Sequence, residues 1–148
     1  MRQALLSAIG SAIGIAALAL PASAADRVVG DWATKDGKGI VRVTPCPARP
    51  EEICGSIVRL RQPTDAAGAP LKDIHNPDPN LRGRSIVGLP VIPGFAPAGE
   101  RVWSGHIYDP ETGRTYASKI RLRSEEALAV EGCFTLICRT EVWRRAAF

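Results

Sequence analysis

The sequence predicts an all-β chain folded as an antiparallel up-and-down β-barrel of about eight strands. Three observations carry this. Apolar residues recur with period two while helical periodicity is almost absent. The strand-like runs are short and bounded by tight turns. Their order along the chain looks sequential, as in a meander. A sheet with one apolar face must curl or pair with another sheet, and closure removes its exposed edges. A two-sheet β-sandwich is the alternative.

Taken in order, "RVVGDWAT" (27–34) reads as the first strand and turns through Asp36-Gly37 into "GIVRVTP" (39–45). "CGSIVRLR" (54–61) places Ile57, Arg59 and Arg61 on one side and Val58 and Leu60 on the other. "RVWSGHIY" (101–108), the turn "DPETG" (109–113) and "RTYASKIRLR" (114–123) make the next hairpin, with Tyr116, Ser118, Ile120 and Leu122 sharing a face. "ALAVEG" (127–132) and "LICRTEVWRR" (136–145) close the chain. From Gln62 to Glu100 the chain is irregular and carries Pro63, Pro70, Pro77, Pro79, Pro90, Pro93 and Pro97 of its 12 prolines. Within it, "SIVGLPVI" (85–92) reads as an edge strand, where Pro90 is tolerated. The rest is expected to be an ordered excursion across the barrel surface or mouth, because long structureless loops are uncommon in small domains.

The ends define where the chain is expected to live. Arg2, the apolar run Ala4 to Leu20, Pro21 and the small residues "ASA" read as an export signal (1–24) cleaved after Ala24. The run is short for a bilayer span and ends in a helix breaker, so a retained anchor is disfavoured. The mature chain (25–148) is then one periplasmic or secreted domain with no membrane span. The formal charge of the full sequence is +4, from 19 basic and 15 acidic residues. The basic residues are dispersed and have no stacking aromatics among them, which argues against a nucleic-acid partner.

Cys46, Cys54, Cys133 and Cys138 all lie in the mature chain. In an exported protein an even count implies disulfides, and four cysteines allow three pairings. Cys46–Cys54 and Cys133–Cys138 are favoured, because each pair brackets a short turn-rich segment. A four-thiolate zinc site lacks C-x-x-C spacing, so no metal is expected.

Six segments ("TKDGKGIVRVTPC", "CGSIVRLRQPTDAAGAPLKD", "NPDPNLRGR", "GLPVIPGF", "IYDPETGRTY" and "CRTEVWRR") resemble the bacterial family known as domain of unknown function 2147. Ser85 departs from it, standing where proline is expected after the Arg. The resemblance implies small exported proteins with a lipocalin-like barrel and no established activity. A wider lipocalin likeness rests on Gly30-Asp31-Trp32. In those barrels such a Gly lets the first strand bend, the Trp plugs one end, and an Arg of the last strand covers the indole. Arg144 or Arg139 is the expected partner here. Trp103 and Trp143 read as core or rim aromatics.

The stretch "DIHNPDPNLRGR" (73–84) is the most chemically loaded part of the chain. Asn76 and Asp78 precede prolines and can form Asx turns. Asp78 then caps a one-turn helix with Pro79 at its first position, while Arg82 and Arg84 pair with Asp78 or Asp73 or donate to loop carbonyls. Architecture is the leading reading. The rival is a ligand-binding rim of His75, Asn76, Arg82 and Arg84, joined by Tyr108, which otherwise donates to a turn backbone group. No nucleophile elbow, P-loop or metal motif occurs, and no enzyme activity or cofactor is expected. The leading function is binding of a small, partly apolar ligand such as a lipid or fatty acid. The alternative is an envelope structural or interaction module with a filled barrel and a protein partner.

Overall fold

A computed structural model describes residues 24–147. The predicted export signal lies outside these residues except for Ala24. The described chain starts with a five-residue helix, α1 (Ala24–Val28), followed by β1 (Gly30–Ala33), β2 (Gly39–Pro45), β3 (Ile53–Leu60), β4 (Pro90–Gly99), β5 (Val102–Asp109), β6 (Arg114–Ser124), β7 (Ala127–Phe134) and β8 (Ile137–Arg145). Every strand pairs antiparallel with the next. The β1–β8 register, Trp32 opposite Arg145 and Ala33 opposite Arg144, closes the ring. Closure rules out the sandwich.

Alternation along these strands explains the core. On β6, Ser118, Ile120 and Leu122 are buried between exposed neighbours. Ile120 and Leu122 lie opposite Val130 and Leu128 of β7, and Leu128 in turn lies opposite Trp143 of β8. Both disulfides form as expected, Cys46–Cys54 across the β2–β3 turn and Cys133–Cys138 across the β7–β8 turn.

Three expectations about the strands need correction. Residues 27–34 are not one strand, because α1 occupies 24–28 and β1 begins only at Gly30. On β3, Ile57 and Leu60 do not face opposite ways. A register shift between the pairs Ile40–Arg59 and Val41–Ile57 leaves Val58 as an extra residue, so a bulge turns both apolar side chains inward. The fourth strand is Pro90–Gly99, not 85–92, and it sits inside the closed ring rather than at an edge. Its three prolines are exposed, and its seam with β3 breaks register twice, so few ladder bonds depend on the missing N–H groups.

The barrel has a closed base and an open mouth. At the base, Val28 of α1 is fully buried and its carbonyl accepts from Trp32 Nε1 at 2.9 Å. The Arg145 guanidinium lies 4.2 Å from the Trp32 ring centroid. Its nitrogens also donate to the carbonyls of Glu125, Val29 and Arg27 at 2.5, 3.2 and 2.6 Å. Gly30, at φ 141°, bends the strand and leaves the space that Arg145 fills; a Cβ there would collide with the guanidinium. Arg144 and Arg139 are therefore not the partners of Trp32. Arg144 pairs with Ala33 on the opposite, exposed side of β8, and Arg139 faces inward but lies six residues further up, near the mouth.

Candidate functional site

Residues 61–89 form a strap across the mouth. It is built from the small bridges Thr64–Pro70 and Lys72–Ser85 and a single 3₁₀ turn, Pro79–Leu81. The turn is set by local chemistry. Asp78 caps it by accepting from Asn80 N at 2.9 Å, and Asn76 Oδ1 accepts from Asp78 N at 2.9 Å. Arg82 Nε donates to Asn76 O at 2.7 Å.

The strap is pinned to the barrel by Asp73, which is fully buried. Its carboxylate accepts from Tyr108 Oη at 2.6 Å, Asn76 Nδ2 at 2.8 Å and Arg84 Nη2 at 2.9 Å. Asn76 Nδ2 also reaches Tyr108 Oη at 3.2 Å. At the same end the carbonyl of His75 presses against Gly113, where no Cβ would fit. Tyr108 thus donates to Asp73, not to a turn backbone group. Burial pushes the Asp73 carboxyl up, but the bonds from Tyr108, Asn76 and Arg84 outweigh it and hold the group below its ordinary 3.8. Burial, then Asp73 itself, raises the Tyr108 hydroxyl to about 12.

The signs of these shifts fix a pH dependence. The depressed Asp73 gives stability that is complete above the unfolded carboxyl value near 4 and is lost as pH falls through the folded one. The raised Tyr108 gives stability present below its unfolded value near 10 and lost as pH rises through about 12. Melting curves are expected to show the acid loss below about pH 4, and Asp73→Asn to flatten it. An unchanged acid limb in that variant would remove the network from the account.

Beneath the strap lies a cavity of about 790 Å³ that opens at the mouth. Its floor is apolar, with Val41, Ile57, Val91, Ile107, Val130 and Trp143. Its rim is charged and includes Lys35, Lys72, Arg114 and Arg139. Lys38 Nζ sits 3.0 Å from Glu111, so an exposed ion pair joins the β1–β2 turn to the β5–β6 turn on the far side of the ring.

The five predicted rim residues divide. His75 and Tyr108 line the cavity. Asn76 is buried with its side chain engaged on both ends, Arg84 is held by Asp73, and Arg82 is spent on the Asn76 carbonyl, so none of the three lines it. Sequence reasoning missed Arg139 and Glu141 as wall residues. Counting by twos back from Trp143 places both on its inward face. It also missed the bidentate Arg42–Asp31 pair at 2.7 and 2.8 Å, two residues directly opposed on β1 and β2. That bond to Arg42 lowers the Asp31 carboxyl.

No curated protein matches the chain. Among solved structures the fold is similar to that of "Protein HP1028 from the human pathogen Helicobacter pylori belongs to the lipocalin family", with TM-score 0.68, 20% identity, and coverage of 80% of this chain and 82% of that one. At that identity the likeness speaks for the barrel alone. The family described as "Uncharacterized protein conserved in bacteria (DUF2147)" matches residues 30–145, from the first glycine of β1 to the arginine that covers Trp32. The chain belongs to this bacterial DUF2147 family.

Proposed function

We propose that the protein is an exported, periplasmic carrier that holds a small, partly apolar ligand in the barrel, with its apolar part on the floor and its polar end at the rim. The open cavity of about 790 Å³ carries this reading, because a barrel serving only as a structural module would be filled. Its size falls within the roughly 300–1,000 Å³ typical of small-molecule sites, and its apolar floor under a charged rim suits an amphiphile such as a fatty acid or lipid. Binding without catalysis fits the state of the buried carboxylates. Asp73 is occupied by three donors and Asp31 by Arg42, which leaves neither free as an acid or base.

Gly132 offers a clean test. It lines the cavity opposite Arg139, and a Cβ built on it meets only Tyr116 Cβ at 3.8 Å, an ordinary contact. Gly132→Phe should therefore fill the cavity without disturbing the barrel. The affinity for a fluorescent fatty-acid probe is expected to fall at least about tenfold, with the disulfides and melting behaviour retained. Native mass spectrometry of protein taken undenatured from a periplasmic extract should show added mass that denaturation removes. A bare chain that also ignores the probe sinks the carrier reading.

A further inference from the structure

We propose that the apolar tip of the β7–β8 hairpin docks the barrel mouth onto an anionic lipid bilayer. Phe134, Leu136 and Ile137 stand at this tip with 51, 98 and 68% of their surface exposed. Ile74, on the strap beside the same mouth, is 62% exposed. Among the described residues the only other exposed large apolar side chain is Val87. Exposed apolar surface is thus gathered at one end of the barrel, which marks an interaction site.

The tip is held in place before anything binds. The Cys133–Cys138 disulfide clamps the hairpin next to the turn. The Arg114 guanidinium lies 5.2 Å from the centroid of the Phe134 ring, and Tyr116 meets the same ring edge-on at 6.1 Å. An ordered tip loses little conformational entropy on insertion.

Charge chooses the occupant. Lys35, Lys72, Arg114 and Arg139 border this mouth, and none has a carboxylate within 4 Å among the described residues. Of the mouth carboxylates, Glu111 is neutralised by Lys38, and Asp109 accepts from Thr112 and from Glu111 N. Those donors are neutral, so Asp109 keeps its charge, and with Asp36 and Glu141 it sets three unpaired carboxylates against the four unpaired cations, a balance positive by one. Projecting apolar side chains with cations set behind them match hydrocarbon lying beneath a layer of anionic headgroups. A stable protein partner would call for a broad complementary face, and a tip of three side chains around an open cavity does not supply one. Docking would set the cavity mouth against the bilayer, and it holds whether or not the barrel carries a ligand.

The test is cosedimentation of residues 25–148, disulfides intact, with phosphatidylcholine vesicles prepared with and without phosphatidylglycerol. Binding is expected to the anionic vesicles and to weaken several-fold in high salt, where the charge component is screened. The pair Leu136→Glu and Ile137→Glu should lower partitioning at least about tenfold while melting stays unchanged, because both side chains stand in water. Should that pair fail to fold, Leu136→Ser alone serves, its side chain being almost fully exposed. A chain that ignores both vesicles, or a variant that binds as well as the parent, overturns the proposal. So does a self-association in the ultracentrifuge that these substitutions disperse while lipid binding stays absent, which would make the tip a contact between copies.

Discussion

Asp73→Ala is expected to cost about 3 kcal/mol of folding stability, about 10 °C in melting temperature for a domain of this size, although the residue lies in a loop. The size follows from what the substitution strands. Tyr108 Oη and the Asn76 amide lose their acceptor inside the protein, and a buried donor left without a partner costs about 1–3 kcal/mol. Arg84 adds less, because its side chain is 40% exposed and can return to water. Three companion variants separate the contributions. Tyr108→Phe, which removes one neutral donor, should cost about 1 kcal/mol. Arg84→Ala should fall between the two, since it leaves a buried carboxylate with only neutral partners. Asp73→Asn keeps the shape but turns a donor toward donors, and should resemble Asp73→Ala more than Tyr108→Phe. Hydrogen exchange should show the loss concentrated in the strap. A cost for Asp73→Ala within the ordinary scatter of surface substitutions, about 0.5 kcal/mol, would mean that the strap is not held by this carboxylate.

The strap shows where a sequence speaks plainly. Apart from the reach of Asn76 to Tyr108, Asn76, Asp78 and Arg82 bond residues within six positions of themselves, so those roles follow from short-range turn chemistry. The closing contacts are different in kind. Tyr108 meets Asp73 across 35 residues and Lys38 meets Glu111 across 73, and nothing in a single chain links such pairs. The same divide separates the strands. β6 was legible because no glycine, proline or bulge interrupts its alternation from Tyr116 to Leu122; its one register break comes after that, between Leu122 and Ser124. β3 misled because Val58 is one residue too many, and every side chain beyond a bulge changes sides. β4 misled because Pro90, Pro93 and Pro97 suggest an edge, whereas they are accommodated at an irregular seam of a closed ring. The cavity was beyond reach, since alternation says which residues point inward and not how closely they meet.

Trp32→Ala is expected to cost about 3–5 kcal/mol, the range for truncating a fully buried large aromatic. The more searching comparison is between the neighbours Arg144 and Arg145. They are chemically identical and adjacent, so composition and net charge cannot tell them apart. The barrel does. Arg145 points inward opposite Trp32, covers the indole, and ties the carbonyls of Arg27 and Val29 to that of Glu125. It thereby fastens α1, β1 and the β6–β7 turn into one base. Arg145→Ala should cost about 2–3 kcal/mol, from three charge-assisted bonds and a cation–π contact partly replaced by water. Arg145→Lys should recover little, because an ammonium cannot fork to three carbonyls while lying flat on a ring. Arg144→Ala, on the exposed side, should stay within about 0.5 kcal/mol. The readout is chemical denaturation of the three variants with the disulfides intact. Equal costs for Arg144→Ala and Arg145→Ala would break the claim that strand alternation assigns the latch. A large cost for Arg145→Ala alone would show that the base is closed by a single side chain chosen by its parity.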